Sequence, residues 1–175
     1  MRVLKILFSI LIIAIIVVIS YVILTNNDDR IKIKLLYCID WDTAKFIING
    51  KEEKVRLLGI DTPESTNYIE DYGIEASNYT CDLLKSSDNI YIEYDINSDV
   101  RDKYNRLLGW IFIDNNNLSE LLLSKGYAEV KYIYGDYKYI DNLCIAEYNA
   151  YKDKLGIWNI SDYSYEDGYC YKNNY

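Results

Sequence analysis

Residues 43–58 read Thr43-Ala-Lys-Phe-Ile-Ile-Asn-Gly-Lys-Glu-Glu-Lys-Val-Arg-Leu-Leu58. Two strand-like runs, 43–48 and 51–58, flank Asn49-Gly50. This dipeptide suits a two-residue hairpin, because both turn residues must take positive φ. Upstream, residues 31–39 set Ile31, Ile33 and Leu35 against Lys32 and Lys34, the period of a half-buried strand. Downstream come a loop over 61–72, a helix over 74–84, and strands over 90–94 and 107–113. A turn at 114–117 leads into a short helix over 118–125, stopped by Gly126. A final helix covers 137–155 and is ended by Gly156. Three strands, a helix, two strands and two helices describe an α+β chain. The expected core is a five-stranded antiparallel Greek-key β-barrel of OB type, packed with about three helices.

The N-terminus is of a different character. From Ile6 to Leu24 no residue is charged, and only Ser9, Ser20 and Tyr21 interrupt the aliphatic run. As a helix it spans roughly 29 Å, the thickness of a bilayer's hydrocarbon core. Arg2 and Lys5 precede it and Asp28 and Asp29 follow, which keeps the N-terminus cytoplasmic and sends the rest outside. The run is longer than the core of a cleaved signal peptide and lacks a small-residue cleavage pattern. An uncleaved transmembrane anchor over 1–25 is expected, then a linker over 26–30, a domain over 31–160 and a Tyr-rich tail over 161–175. Should cleavage occur, the domain is secreted.

The 175 residues carry a net charge of −8. Arg2 and Lys5 belong to the anchor, so the remainder holds 17 basic against 27 acidic residues, near −10. That is the wrong sign for a protein held to nucleic acid by a broad basic surface, though a small site can keep local cations. Cys38, Cys81, Cys144 and Cys170 form no Cys-x-x-Cys pair, which speaks against zinc. Cys144 with Cys170 is a plausible disulfide tying down an otherwise loose tail. Cys38 and Cys81 read at least as readily as small buried residues. There is no histidine, which excludes Ser-His-Asp and Cys-His hydrolases and His-Glu-x-x-His metalloproteases. Chemistry must come from carboxylates, Arg, Lys, Tyr or a metal.

Three clusters offer such groups: Asp40-Trp41-Asp42-Thr43, the run from Arg56 through Asp61-Thr62-Pro63-Glu64, and Asp102-Lys103-Tyr104-Asn105-Arg106. Each alone has a plain reading as a turn or solvated hairpin. Together, and with Tyr72-Gly-Ile-Glu-Ala-Ser77, Tyr132-Ile-Tyr134 and Ile157-Trp158, they make residues 31–158 resemble the thermonuclease, or staphylococcal nuclease, domain. The resemblance implies that Asp42, Asp61 and the Thr62 carbonyl bind one Ca2+, and that Glu64 orients or deprotonates the attacking water. It implies that Arg56 and Arg106 grip the phosphate, and that Lys103, Tyr104, Tyr132 and Tyr134 line the nucleotide pocket. Trp41 replaces a small residue, which would reshape metal entry, and Asn105 replaces a glycine but tolerates a left-handed backbone.

The chemistry of these residue types agrees. Phosphodiester hydrolysis builds charge on phosphate oxygens, and arginine forks are suited to those oxygens. An all-oxygen site favours calcium or magnesium. The resulting expectation is a monomeric, membrane-tethered calcium nuclease acting on DNA or RNA. The alternatives are an inactive nuclease-like binding module, or an unrelated barrel that stacks tyrosines on sugars.

Overall fold

The computed structural model describes residues 12, 29–64, 70–161 and 163–175. The expected anchor and most of the linker therefore lie outside the described residues. Among those described, no helix is long and apolar enough to cross a membrane.

The hairpin forms as the sequence anticipates. Strand β2 (Thr43–Ile48) pairs antiparallel with β3 (Lys51–Leu57), from Thr43 opposite Arg56 to Ile48 opposite Lys51. Asn49 and Gly50 turn at φ of 50° and 79°. Strand β1 (Ile31–Cys38) pairs with β2 through an irregularity between Leu35 and Tyr37, and along its other edge with β5 (Ile90–Glu93). Strand β6 (Leu107–Ile113) follows β5, and its pairing with β3 closes the barrel.

That closing pair is parallel, where an all-antiparallel barrel was expected. Five strands that alternate direction around a ring leave the first and last pointing the same way. The odd number imposes the parallel seam. Two short strands were also not foreseen, β4 (Ile60–Asp61) and β8 (Glu129–Val130), which pair with each other. Strand β7 (Asn116–Asn117) extends the sheet beyond β6.

Helix α1 (Gly73–Ser86) lies between β4 and β5, and α2 (Leu118–Ser124) follows β7. The Asn117 side chain accepts from Ser119 N at 3.0 Å, capping α2, and Ser119 Oγ donates to Leu58 O at 3.0 Å. Gly126 ends α2 as anticipated: it sits at φ 67° and donates to Leu123 O, while Tyr127 N reaches back to Leu122 O. Helix α3 (Ile140–Lys152) is shorter than expected at both ends. Its left-handed stop is Lys154, at φ 54°, rather than Gly156; Lys154 N donates to Tyr151 O and Leu155 N to Ala150 O. Gly156 instead lets two chain turns touch. A Cβ there would stand 2.0 Å from Gly126 O.

The core fills the barrel and the space under α2 and α3, with Phe46, Ile92, Trp110, Ile111, Leu118, Leu122 and Leu143 buried. The indole of Trp110 donates to Asp95 Oδ2 at 2.9 Å, so its polar edge is satisfied in the interior.

Cys144 and Cys170 form the expected disulfide. It anchors a tail that is ordered rather than loose, with a 3₁₀ turn at Tyr165–Asp167 and a one-turn helix α4 (Tyr169–Lys172). Tyr165 stacks on Tyr151 with ring centres 4.5 Å apart. Cys38 and Cys81 are also disulfide-bonded, which corrects their reading as small buried residues. The end of β1 is thereby fastened to α1.

Candidate active site

The site grows from the strand register. Thr43 opposes Arg56 across the β2–β3 ladder, and Leu57 N donates to Asp42 O at 2.8 Å, so Asp42 is held beside Arg56. Asp42 is only 4% exposed. Its Oδ2 lies 2.6 Å from Arg56 NH1, its Oδ1 accepts from Thr43 Oγ1 at 2.6 Å, and Arg106 NH1 stands 4.0 Å from the same Oδ1. These partners satisfy both oxygens of a carboxylate that water hardly reaches.

Arg56 continues past Asp42. Its NH2 donates to Ile60 O at 3.1 Å and lies 3.9 Å from Asp61 Oδ1, and the guanidinium faces the Tyr132 ring at 4.9 Å. One guanidinium thus touches both expected metal carboxylates. Asp61 is placed by the short β4–β8 pairing, where it opposes Glu129. Its Oδ2 also receives Lys131 Nζ at 3.0 Å and Tyr132 OH at 3.3 Å. Burial disfavours the charge of Lys131, yet Glu129 and Asp61 outweigh that and hold its ammonium far above the usual lysine range.

Arg106 is presented by a tight loop that Asp102 organises. The Asp102 carboxylate accepts from Tyr104 N and Arg106 N, both at 2.9 Å, and from Arg106 Nε at 2.7 Å, with Arg106 NH2 in ion-pair contact at 2.7 Å. Asn105 makes the turn at φ 64°, the left-handed backbone that asparagine tolerates. Burial pushes the Asp102 carboxyl up, but the hydrogen bonds and charge of Arg106 prevail and hold it below the usual range. Arg106 NH1 donates to Thr43 Oγ1 at 3.0 Å, linking this loop to the hairpin.

The two arginines share the wall of one cavity of about 410 Å³ with Lys103, Tyr104, Tyr132 and Tyr134. Tyr134 is 83% exposed, a free aromatic face at the rim. Tyr132 holds φ 60°, an uncommon backbone for a bulky residue and a local strain at the site. Asp42, Asp61, Thr62 and Glu64 do not line this cavity. The two aspartates instead meet Arg56, which does line it. Thr62 is buried, and its Oγ1 has no hydrogen-bond partner among the described residues. Glu64 is fixed through its backbone: its N–H donates to Glu70 Oε2 and its carbonyl accepts from Glu70 N, each at 2.8 Å.

Trp41, expected to reshape metal entry, is buried and does not line the cavity. Its carbonyl accepts from Thr80 Oγ1 at 3.0 Å. Burial, and then the Asp42 carboxylate, push Asp40 up to about 6. Asp102 and Thr43 belong to the clusters read from the sequence but were given no role of their own there, and Lys131 and Glu129 were missed. The role of Asp102 could have been found from its spacing of four to Arg106. Lys131 and Glu129 could not, since only the β4–β8 pairing brings them to Asp61.

Among the described residues, no group of three or more acidic or cysteine side chains forms a ready metal cage. The donor chemistry nonetheless fits a hard cation. Asp42 and Asp61 lie close enough to share one guanidinium, their donors are all oxygen, and Thr62, next in sequence to Asp61, carries a buried, unpartnered hydroxyl.

Comparison with known proteins agrees with this geometry. A family profile described as staphylococcal nuclease homologue matches residues 54–160. Endonuclease YncB of Bacillus subtilis is 38% identical over 148 residues, 82% of this chain and 69% of that protein. The SPbeta prophage-derived endonuclease YokF of the same organism is 36% identical over 145 residues, 81% of this chain but 48% of its own length. A thermonuclease of Staphylococcus hyicus is 31% identical over 137 residues, 77% of this chain and 79% of its own. With two arginines facing an aromatic-lined cleft on a closed five-stranded barrel, this chain belongs to the staphylococcal nuclease family and is a phosphodiester-hydrolysing nuclease.

Proposed function

We propose that this nuclease cleaves DNA, RNA or both in a calcium-dependent reaction, outside the cytoplasm, as a monomer tethered by residues 1–25. The carrying observation is that Arg56 and Arg106, which both reach Asp42, stand together in the wall of the tyrosine-lined cavity. Asp42, Asp61 and the Thr62 carbonyl would hold the cation. Calcium, when bound, supplies Lewis-acid stabilisation of phosphate charge and a more acidic water.

The chain's own residues do the remainder. Arg56 and Arg106 donate to the non-bridging phosphate oxygens and stabilise charge that grows in the transition state. Glu64 takes a proton from the attacking water as the new P–O bond forms. The ester P–O bond opposite breaks with its electron pair going to the leaving oxygen, which takes a proton from solvent water, while Glu64 returns its own proton to solvent. Tyr104, Tyr132 and Tyr134 supply faces for base stacking, and Lys103 a cation for a neighbouring phosphate. The domain would be 31–160, with 161–175 its disulfide-anchored tail.

Two disulfides and the apolar segment over 6–24 support the location, because disulfides persist where the surroundings are oxidising. Incubating the purified chain with DNA and with RNA tests the activity: cleavage is expected with calcium and is expected to stop with chelator. Absence of turnover with every divalent ion rejects the proposal. Recovery of the chain in the membrane fraction, with the domain digestible by protease added outside intact cells, tests the location.

A further inference from the structure

The roles above do not use Lys131, although it stands against one of the proposed metal ligands. Its Nζ lies 3.0 Å from Asp61 Oδ2 and 2.7 Å from Glu129 Oε1. Asp61 and Glu129 oppose each other across the β4–β8 ladder, and Lys131 N donates to Gly59 O at 3.1 Å. The backbone on both sides of the ammonium is therefore fixed, and the two carboxylates flank it. Its side chain is 48% exposed, so the head group has an open route away from Asp61.

We propose that Lys131 is a tethered cation that competes with the divalent ion for Asp61 and so sets how much metal the nuclease requires. This rests on Asp61 being a metal ligand. A divalent ion on Asp61 would repel an ammonium a few ångströms away, and both would compete for the same oxygen. An exposed ion pair is weak, so Lys131 yields to the divalent ion rather than excluding it. Its flexible stem and three donors let it turn from Asp61 while Glu129 retains it. The result is a weakened but not abolished metal affinity, suited to surroundings rich in the ion.

Calcium titration calorimetry on the full chain tests this with Lys131→Met, which removes the charge and keeps the bulk, and Lys131→Arg, which keeps the charge. The Met variant should bind calcium about fivefold more tightly, the scale of an exposed ion pair, while the Arg variant stays within about twofold of the parent. Metal-free melting temperatures confirm that all three forms are folded. Equal affinity in the parent and the Met variant, weaker binding by the Met variant, or equal tightening in the Arg variant, overturns the role of Lys131. Calcium uptake by none of the three overturns the metal assignment to Asp61 instead, and the inference falls with it.

Discussion

Arg106 makes contacts that a lysine could not reproduce: two nitrogens on Asp102 and a third on Thr43 Oγ1. Replacing it by alanine should lower kcat about 10²- to 10³-fold, the usual cost of removing one transition-state donor, while circular dichroism stays unchanged. Arg106→Lys should recover little of that rate. Arg56→Ala should be as damaging to rate but also destabilising, because it strips the nearer of two cations from a buried Asp42. Full activity in both alanine variants would mean that the phosphate is gripped elsewhere. Gly156 is a structural counterpart. It holds φ 52°, and an added Cβ would meet the Gly126 carbonyl. Gly156→Ala should therefore cost at least about 2 kcal/mol in urea denaturation. Glycine and asparagine at such positions were readable in advance, since few other residues take positive φ. Lys154 was not, because only the ending of α3 requires it there.

At the scale of elements, α3 reaches the site through Glu147. This glutamate is 0% exposed, and its Oε1 accepts from Val130 N at 2.6 Å, fastening the helix to β8 and through it to Asp61. Burial pushes its carboxyl up to about 7, against an ordinary value of 4.5. The folded protein thus holds this proton more tightly than the unfolded chain does. Below the unfolded value both states are protonated and folding bears no penalty; stability then falls as pH rises towards about 7 and levels off above it. Urea denaturation at pH 5 and pH 8 should show this loss, and Glu147→Gln should remove it while keeping the acceptor for Val130. An identical pH dependence in the variant would exclude Glu147 as the source. The Cys38–Cys81 bridge is the second link, joining the strand that leads into Asp40–Asp42 to α1. The double serine variant, with the other disulfide intact, should lose about 2–4 kcal/mol in the same measurement. The five barrel strands and both long helices were legible from periodicity and turn signals. The two-residue strands β4 and β8 were not, since so short a pairing leaves no pattern in sequence.

For the whole molecule, the charge of −8 opposes a polyanionic substrate, while the cleft itself gathers Arg56, Arg101, Lys103 and Arg106. Few phosphates can be neutralised there. The dependence of log KM on log salt should correspond to about three or fewer released counterions, well below that of proteins with broad basic faces. A steep slope would reveal a basic path elsewhere on the surface. The tail follows similar logic. The Cys144–Cys170 bond holds it to α3, Tyr165 stacks on Tyr151, and Tyr165 and Cys170 join the core.

By itself the sequence determined the barrel, its hairpin and helices, the absence of histidine chemistry and the residue types at the cleft. Those follow from local periodicity, turn preferences and side-chain chemistry, which a linear chain carries openly. Tertiary structure alone decided the parallel seam, the Cys38–Cys81 bridge, the guanidinium shared between Asp42 and Asp61, and the ammonium of Lys131 beside that same carboxylate. The seam comes from barrel closure, the bridge from the packing of the Gly73–Ser86 helix on β1, and the charge pairs from the registers of β2 with β3 and β4 with β8; all depend on distances that no local pattern records.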